Sequence, residues 1–148
     1  MQQSIFYSGD NKPAGDIFTI GHSNKPISLL IALLIMHDIE VLVDCRSRPY
    51  SRYNPQFNRE NMRRELEKAG IKYEWRGNNM GGLDSNVHEE EAYEEYSERA
   101  KAGERIALCC SEGKPEQCHR SWTLAPEFVK RGLCVYHILW SGDKKVHV

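Results

Sequence analysis

The stretch CCSEGKPEQCHRS, Cys109 to Ser121, holds three of the chain's five cysteines together with His119 and Arg120. Thiols, an imidazole and a guanidinium at this density point to a metal site, to a thiolate nucleophile on an anion-binding turn, or to a buried strand end followed by a helix start. A metal site would draw on Cys109 or Cys110 together with Cys118 and His119. Structural zinc normally uses paired ligands two to four residues apart, and the chain offers a single such cluster. If the segment from Gln117 is helical, adjacent Cys118 and His119 do not face each other. No metal and no other cofactor is therefore expected. A cysteine at a helix start beside arginine has its thiolate stabilised by backbone N–H groups and positive charge. Cys118 fits that description, with Cys110 at the preceding strand end as the second candidate. A buried structural thiol stays open as the other reading. Side-by-side geometry keeps Cys118, His119 and Arg120 from pointing at one atom, so Arg120 is expected to pair with Asp44 or Glu112. The longer cysteine-to-arginine spacing of a phosphatase loop is absent, because Arg120 stands too close to Cys118 and no arginine follows Cys110 at that distance.

A second set follows the apolar run Val41–Val43. Between Asp44 and Arg64 stand Arg46, Arg48, Arg52, Arg59, Arg63 and Arg64 against only Asp44 and Glu60, with Tyr50, Tyr53 and Phe57 interleaved. Arginine forks bind phosphate, and aromatic rings stack on bases, so a nucleotide or single-stranded nucleic acid fits this pattern. A solvated basic face, paired with the acidic stretch from Asp84 to Glu98, is the competing reading. A carboxylate among arginines favours an orienting role for Asp44 over proton transfer. His22 follows a strand and a glycine, where capping is as good a reading as catalysis.

Strand-like and helix-like segments alternate to position these groups. The strands are Ile17–His22, EVLVDCR, IKYEW, RIALCC and CVYHILW. The helices are ISLLIALLIMHD, RENMRRELEKAG, EEEAYEEYSERAKAG and QCHRSWTLAPEFVKRG. Asn24 and Asn58 are expected to cap the first two helices, and Gly70 and Gly103 to end the second and third. RGNNMGGLD reads as a flexible loop, and Pro126 should kink or split the last helix. The alternation predicts an α/β three-layer sandwich around a mainly parallel sheet of about five strands, Rossmann-like or flavodoxin-like. Residues 1–16 read as a polar lead-in and 17–148 as a single domain. Ligands in such sheets bind beyond the carboxyl ends of the strands. His22, Ser23, Asp44, Arg46, Ser47, Arg48, Arg52, Gly81, Gly82, Cys110, Glu112, Cys118, His119 and Arg120 all fall at that edge.

Composition narrows the setting. The 148 residues carry a net charge of −1, so anion binding must come from a local patch. No targeting signal is read in the opening residues. The longest apolar run, Leu29 to Met36, is too short to span a bilayer. An odd number of cysteines without the spacing of a secreted scaffold suggests reduced thiols in a cytoplasm. The first helix is apolar nearly all round, either because it lies deep in the sandwich or because its outer face forms a homodimer.

TIGHSN, LVDCRSRPYSRYNPQFN, GIKYEWRGNNMGG and ALCCSEGKPEQCHRSWTLA, in this order, resemble the family called domain of unknown function 488. The likeness runs from about Ile17 to Trp140. It groups Gly21, His22 and Ser23; Asp44, Arg46 and Ser47; Asn54 to Phe57; Gly81 and Gly82; and Cys110, Glu112, Cys118, His119 and Arg120. Cys45 and Met80 depart from the usual apolar residue and leucine. The resemblance implies that these residues belong together and supplies no reaction. The expectation is a small enzyme acting on a phosphate-bearing substrate, a nucleotide or nucleic acid. Arg46, Arg48 and Arg120 would bind the anion, Asp44 and Glu112 would orient them or accept a proton, Cys118 or Cys110 would attack, and His119 is counted with these catalytic candidates. A non-catalytic binding module using the same arginines is the alternative.

Overall fold

The structure is a computed structural model and describes residues 7, 8, 12, 13, 15–83 and 85–148. A short antiparallel ladder pairs β1 (Tyr7–Ser8) with β2 (Lys12–Pro13). The main chain then runs β3 (Gly15–Gly21), α1 (Ile27–Met36), β4 (Val41–Asp44), α2 (Arg59–Lys68), β5 (Lys72–Trp75), α3 (Gly77–Met80) and α4 (Glu89–Lys101). It ends with β6 (Ile106–Cys110), α5 (Ala125–Lys130), β7 (Leu133–Ile138) and β8 (Lys144–Val146). The sheet order is β5-β4-β6-β3-β7-β8, with every pair parallel except β7 and β8. The expected parallel sheet is present, and β8 adds an antiparallel edge strand that the sequence reading lacked.

Three layers follow from the order of crossovers. The chain moves in one direction through α1 and α2, then returns in the other through α4 and α5. Because strand crossovers keep one hand, the two pairs of helices cover opposite faces. Side chains along each strand divide accordingly. Phe18, Ile20, Leu42, Ala107 and Cys109 pack with Leu30, Leu34, Met62 and Leu66 under α1 and α2. Ile17, Val41, Val43, Leu108 and Cys110 pack with Tyr93, Tyr96, Ala125 and Phe128 under α4 and α5. The strands are buried on both faces, which is why their sequences are continuously apolar.

Several local expectations change. Helix α1 starts after Pro26 rather than at an Asn24 cap. Asn58 does precede α2, but its side-chain Oδ1 accepts the Ser51 N–H at 2.7 Å instead of capping the helix. The stretch after Arg76 is not all loop, since Gly77–Met80 forms one helical turn. The last predicted helix is split, with a wide π turn over Arg120–Leu124 leading into α5, whose first turn holds Pro126. A proline costs least there because N–H groups of a first turn have no helical partner. Gly70 and Gly103 sit at positive φ just beyond α2 and α4, as expected. Helix α1 buries Leu30, Leu33 and Leu34 but leaves Leu29, Ile35 and Met36 exposed, so it is not enclosed in the sandwich. The acids of α4 pair with Arg76, Arg99 and Arg131, not with the arginines of α2. Arg63 is instead bonded to Glu60 and Glu67 within α2. No helix among the described residues is long and apolar enough to cross a membrane.

Candidate functional site

At the carboxyl edge of the sheet, alternation sorts the polar groups into two clusters. Asp44, like Leu42, faces α1 and α2, whereas Cys45 joins the core under α4 and α5. Cys109 and Cys110 divide in the same way, so adjacent cysteines lie on opposite sides of the sheet.

The first cluster is a closed ionic knot. Asp44 has no exposed surface and accepts Arg46 Nε and Nη2, each at 2.8 Å, from both ends of its carboxylate. The Tyr73 hydroxyl also donates to Asp44. The third guanidinium nitrogen, Nη1, lies 3.2 Å from His22 Nε2, while His22 Nδ1 donates to the Ser23 carbonyl at 2.6 Å. The imidazole is therefore the neutral tautomer with Nδ1–H, stacked on Phe57 at 4.2 Å between ring centres. Burial, then the charge of Arg46, brings His22 down to about 4. Burial also opposes the charge on Arg46, but the hydrogen bonds and charge of Asp44 prevail and raise its pKa. Nε and Nη2 of the Arg46 fork are thus committed to a buried carboxylate, while the residue still borders the cleft of the second cluster. The geometry gives Asp44 the orienting role.

The second cluster lines a cleft of about 390 Å³ bounded by Arg46, Ser47, Arg48, Gly82, Leu83, Cys110, Ser111, Glu112, Gln117, Cys118, His119 and Trp122. Cys118 is not the first residue of a helix. It is extended (φ −134°, ψ 148°), between a 3₁₀ turn at Pro115–Gln117 and the π turn. That backbone removes the argument against convergence: Cys118 Sγ lies 3.7 Å from His119 Nδ1, and Cys110 Sγ lies 3.8 Å from the same atom. All three donor atoms are within 4.8 Å of one another. His119 Nε2 donates to the Met80 carbonyl at 3.0 Å, which leaves the Nδ1 lone pair to the sulfurs.

The paired glycines make this contact possible. A Cβ on Gly82 would stand 2.9 Å from His119 Nδ1, and one on Gly81 would stand 2.1 Å from Ser47 Oγ. Ser47 Oγ also accepts the Leu83 N–H at 3.1 Å. Gly81 and Gly82 thus let a loop lie flat on the imidazole and on Ser47.

The charges at the cluster differ sharply between neighbouring thiols. A hydrogen bond from Cys110, opposed by burial and reinforced by His119, the Arg120 N–H and the Arg120 charge, brings Cys118 down to about 4. Cys110 is pushed well above the usual thiol range by Cys118, then by burial. Burial works against a charged His119, yet the hydrogen bond and charge of Cys118, with the Met80 carbonyl, raise it. Burial, then Asp44, pushes Cys109 up to about 12 and Cys45 well above the ordinary range. Cys118 is accordingly the most acidic thiol of the edge, with His119 beside it.

Arg120 is turned inward with no exposed surface. Its Nη1 and Nη2 donate to the carbonyls of Glu112 (2.6 Å) and Gly113 (3.1 Å), and Nε has no partner. Among the described residues no carboxylate forms an ion pair with it, so neither the Asp44 nor the Glu112 side chain is its partner as expected. The Cys118 thiolate is the anion its charge stabilises. Gly21 belongs to the same construction: a Cβ there would stand 1.7 Å from the Glu112 carbonyl oxygen and 2.2 Å from Arg120 Nη1. The carboxylate of Glu112 accepts the Lys114 N–H at 3.1 Å.

His22, Ser23, Asp44, Arg52, Gly81 and Arg120 are not in the lining of that cleft. His22 is in the ionic knot, Ser23 borders a neighbouring depression with Lys25, Gly113 and Trp140, and Arg52 reaches over Tyr53 on the exposed loop. Leu83, Trp122, Gln117 and the Met80 carbonyl were not foreseen. Leu83 and Trp122 are 74% and 66% exposed at the cleft, a property no residue type or spacing announces.

Fold and site define a three-layer α/β protein with a thiolate–imidazole cleft at the carboxyl edge of its sheet. Residues 26–89 match the family model described as Domain of unknown function DUF488. The resemblance to that family is thus shown over the segment that carries Asp44, Arg46, the Asn54–Phe57 turn and Gly81-Gly82. No curated protein and no solved structure matches the chain.

Proposed function

We propose that the protein is an enzyme acting on a phosphate-bearing substrate, a nucleotide or nucleic acid, with Cys118, His119 and Cys110 as its chemical centre. The observation that carries this reading is the convergence of two thiols and an oriented imidazole on one cleft of about 390 Å³. That volume lies in the range of small-molecule sites. Trp122 and Leu83 give a flat base an apolar surface, and Arg48, on the same lining, suits a phosphate. The five cysteines are all free, which fits a reducing cytoplasmic setting. Exposed Tyr50, Tyr53 and Arg52 favour the alternative, a non-catalytic module gripping single-stranded nucleic acid along that loop.

Equilibrium binding of mononucleotides and a short oligonucleotide, with turnover followed by product chromatography, separates the two. Cys118→Ser should abolish turnover and retain binding, while Trp122→Ala and Arg48→Ala should each weaken binding by about tenfold. Turnover that survives Cys118→Ser removes Cys118 from the chemistry, and wild-type protein that binds without turnover ends the enzymatic reading. Oligonucleotide affinity that falls steeply with salt and with Arg52→Ala, without turnover, establishes the module instead. Absence of binding to any of these ligands removes the substrate class.

A further inference from the structure

We infer that Cys110, Cys118 and His119 form a three-ligand site for a thiophilic divalent cation, zinc by its donor set, whose fourth coordination position opens into the cleft. Zinc holds cysteine sulfur at about 2.3 Å and histidine nitrogen at about 2.0–2.1 Å in a tetrahedral arrangement. Neighbouring donors in such an arrangement stand roughly 3.5–3.8 Å apart. The two sulfur-to-nitrogen separations here are 3.7 and 3.8 Å, and all three donors lie within 4.8 Å of one another. Little closure is needed to seat an ion between them.

Two further features point the same way. His119 commits Nε2 to a backbone carbonyl, that of Met80, and turns Nδ1 toward the sulfurs; this outer hydrogen bond is the usual means of fixing a ligating imidazole. The set contains two sulfurs, one nitrogen and no carboxylate, which selects zinc over magnesium or calcium. All three residues line the cleft, so an ion held by them keeps a position for water or a substrate oxygen, the mark of a catalytic rather than a structural site. An ion there would polarise a substrate oxygen or activate a bound water. The assignment goes beyond the substrate reading and does not depend on it.

The test uses the full chain, stripped with a chelator, dialysed, and incubated with zinc or cobalt. One zinc per chain should survive gel filtration, and the cobalt form should show a thiolate-to-cobalt charge-transfer band. Cys118→Ser and His119→Gln should lose both signals, whereas Cys134→Ser, altered on β7 outside the cluster, should keep them. Gly82→Ala leaves every ligand in place but crowds His119, and should lower zinc affinity by about 10–100-fold. Folded wild-type protein that retains no zinc and gives no cobalt band overturns the site. So does zinc that persists in both ligand variants. Nucleotide binding is measured on the same preparations: nucleotide without zinc removes the metal and leaves the substrate class standing, and zinc without nucleotide does the reverse.

Discussion

Asp44→Ala is expected to destabilise the fold by about 3–5 kcal/mol in equilibrium urea unfolding, the cost of leaving one partner of a buried ion pair behind. The carboxylate is fully buried and meets Arg46 with both oxygens, while Tyr73 donates a further hydrogen bond. Its loss strands the Arg46 guanidinium, which is only 8% exposed, and the Tyr73 hydroxyl. Replacing the group together, with Asp44→Leu, Arg46→Met and Tyr73→Phe, should recover most of the loss, because apolar substitutes of similar volume remove the stranded groups. Asp44→Asn separates structural from catalytic roles. An orienting carboxylate predicts lower stability for this variant, whereas a proton-transfer group predicts wild-type stability without turnover. An Asp44→Ala midpoint equal to that of wild type would show that the ionic knot contributes nothing.

Acid should destabilise the protein earlier than carboxylate protonation alone would. His22 and His137 are buried, and both titrate near 4 in the folded chain, against about 6.5 when unfolded. Burial lowers both, with the Arg46 charge adding for His22 and the Arg120 charge for His137. Above pH 6.5 both states hold these rings neutral and stability is unaffected. Between 6.5 and 4 only the unfolded chain binds the protons, so stability falls with pH, by about 3 kcal/mol for each histidine. Below 4 the folded rings titrate too and this contribution levels off. The carboxyls of Glu74 and Glu127, held low by Arg99 and Arg131, lose their contributions only at lower pH. Urea midpoints at pH 7, 6, 5 and 4 should therefore fall from pH 6 downward, and His22→Gln should remove about half the slope. The physical block is visible at His22, since a proton on Nε2 would face Arg46 Nη1 at 3.2 Å. A flat profile to pH 5 would contradict this account.

Much of the fold was legible because burial on both faces leaves continuous apolar runs, and the short Val41–Val43 and Ile106–Cys110 runs read as inner strands once their length and the alternating helices are weighed. Gly70 and Gly103 marked helix ends for a similarly local reason, a backbone conformation that other residues adopt at a cost. The site was legible in membership more than in arrangement. Cys110, Cys118, His119, Arg48 and Gly82 do line one cleft, as their place beyond the strand ends suggested. The argument that kept Cys118 and His119 apart assumed helical backbone, and an extended Cys118 invalidates it.

By itself, the sequence determined the alternation of elements, the three layers, and the edge at which thiols, imidazole and guanidinium groups collect. Those follow from periodicity and chain order, which are local properties. Only the tertiary structure decided what each arginine bonds to. Arg46 is closed on Asp44 and Arg120 is folded under the Glu112–Gly113 turn, both by contacts across other strand ends. Adjacent residues such as Cys109 and Cys110 part to opposite faces, while Cys110 and Cys118, eight positions apart, meet at one imidazole. Direction and partnership of a side chain depend on the register of neighbouring strands and the shape of the turn between them, and neither is written in residue type.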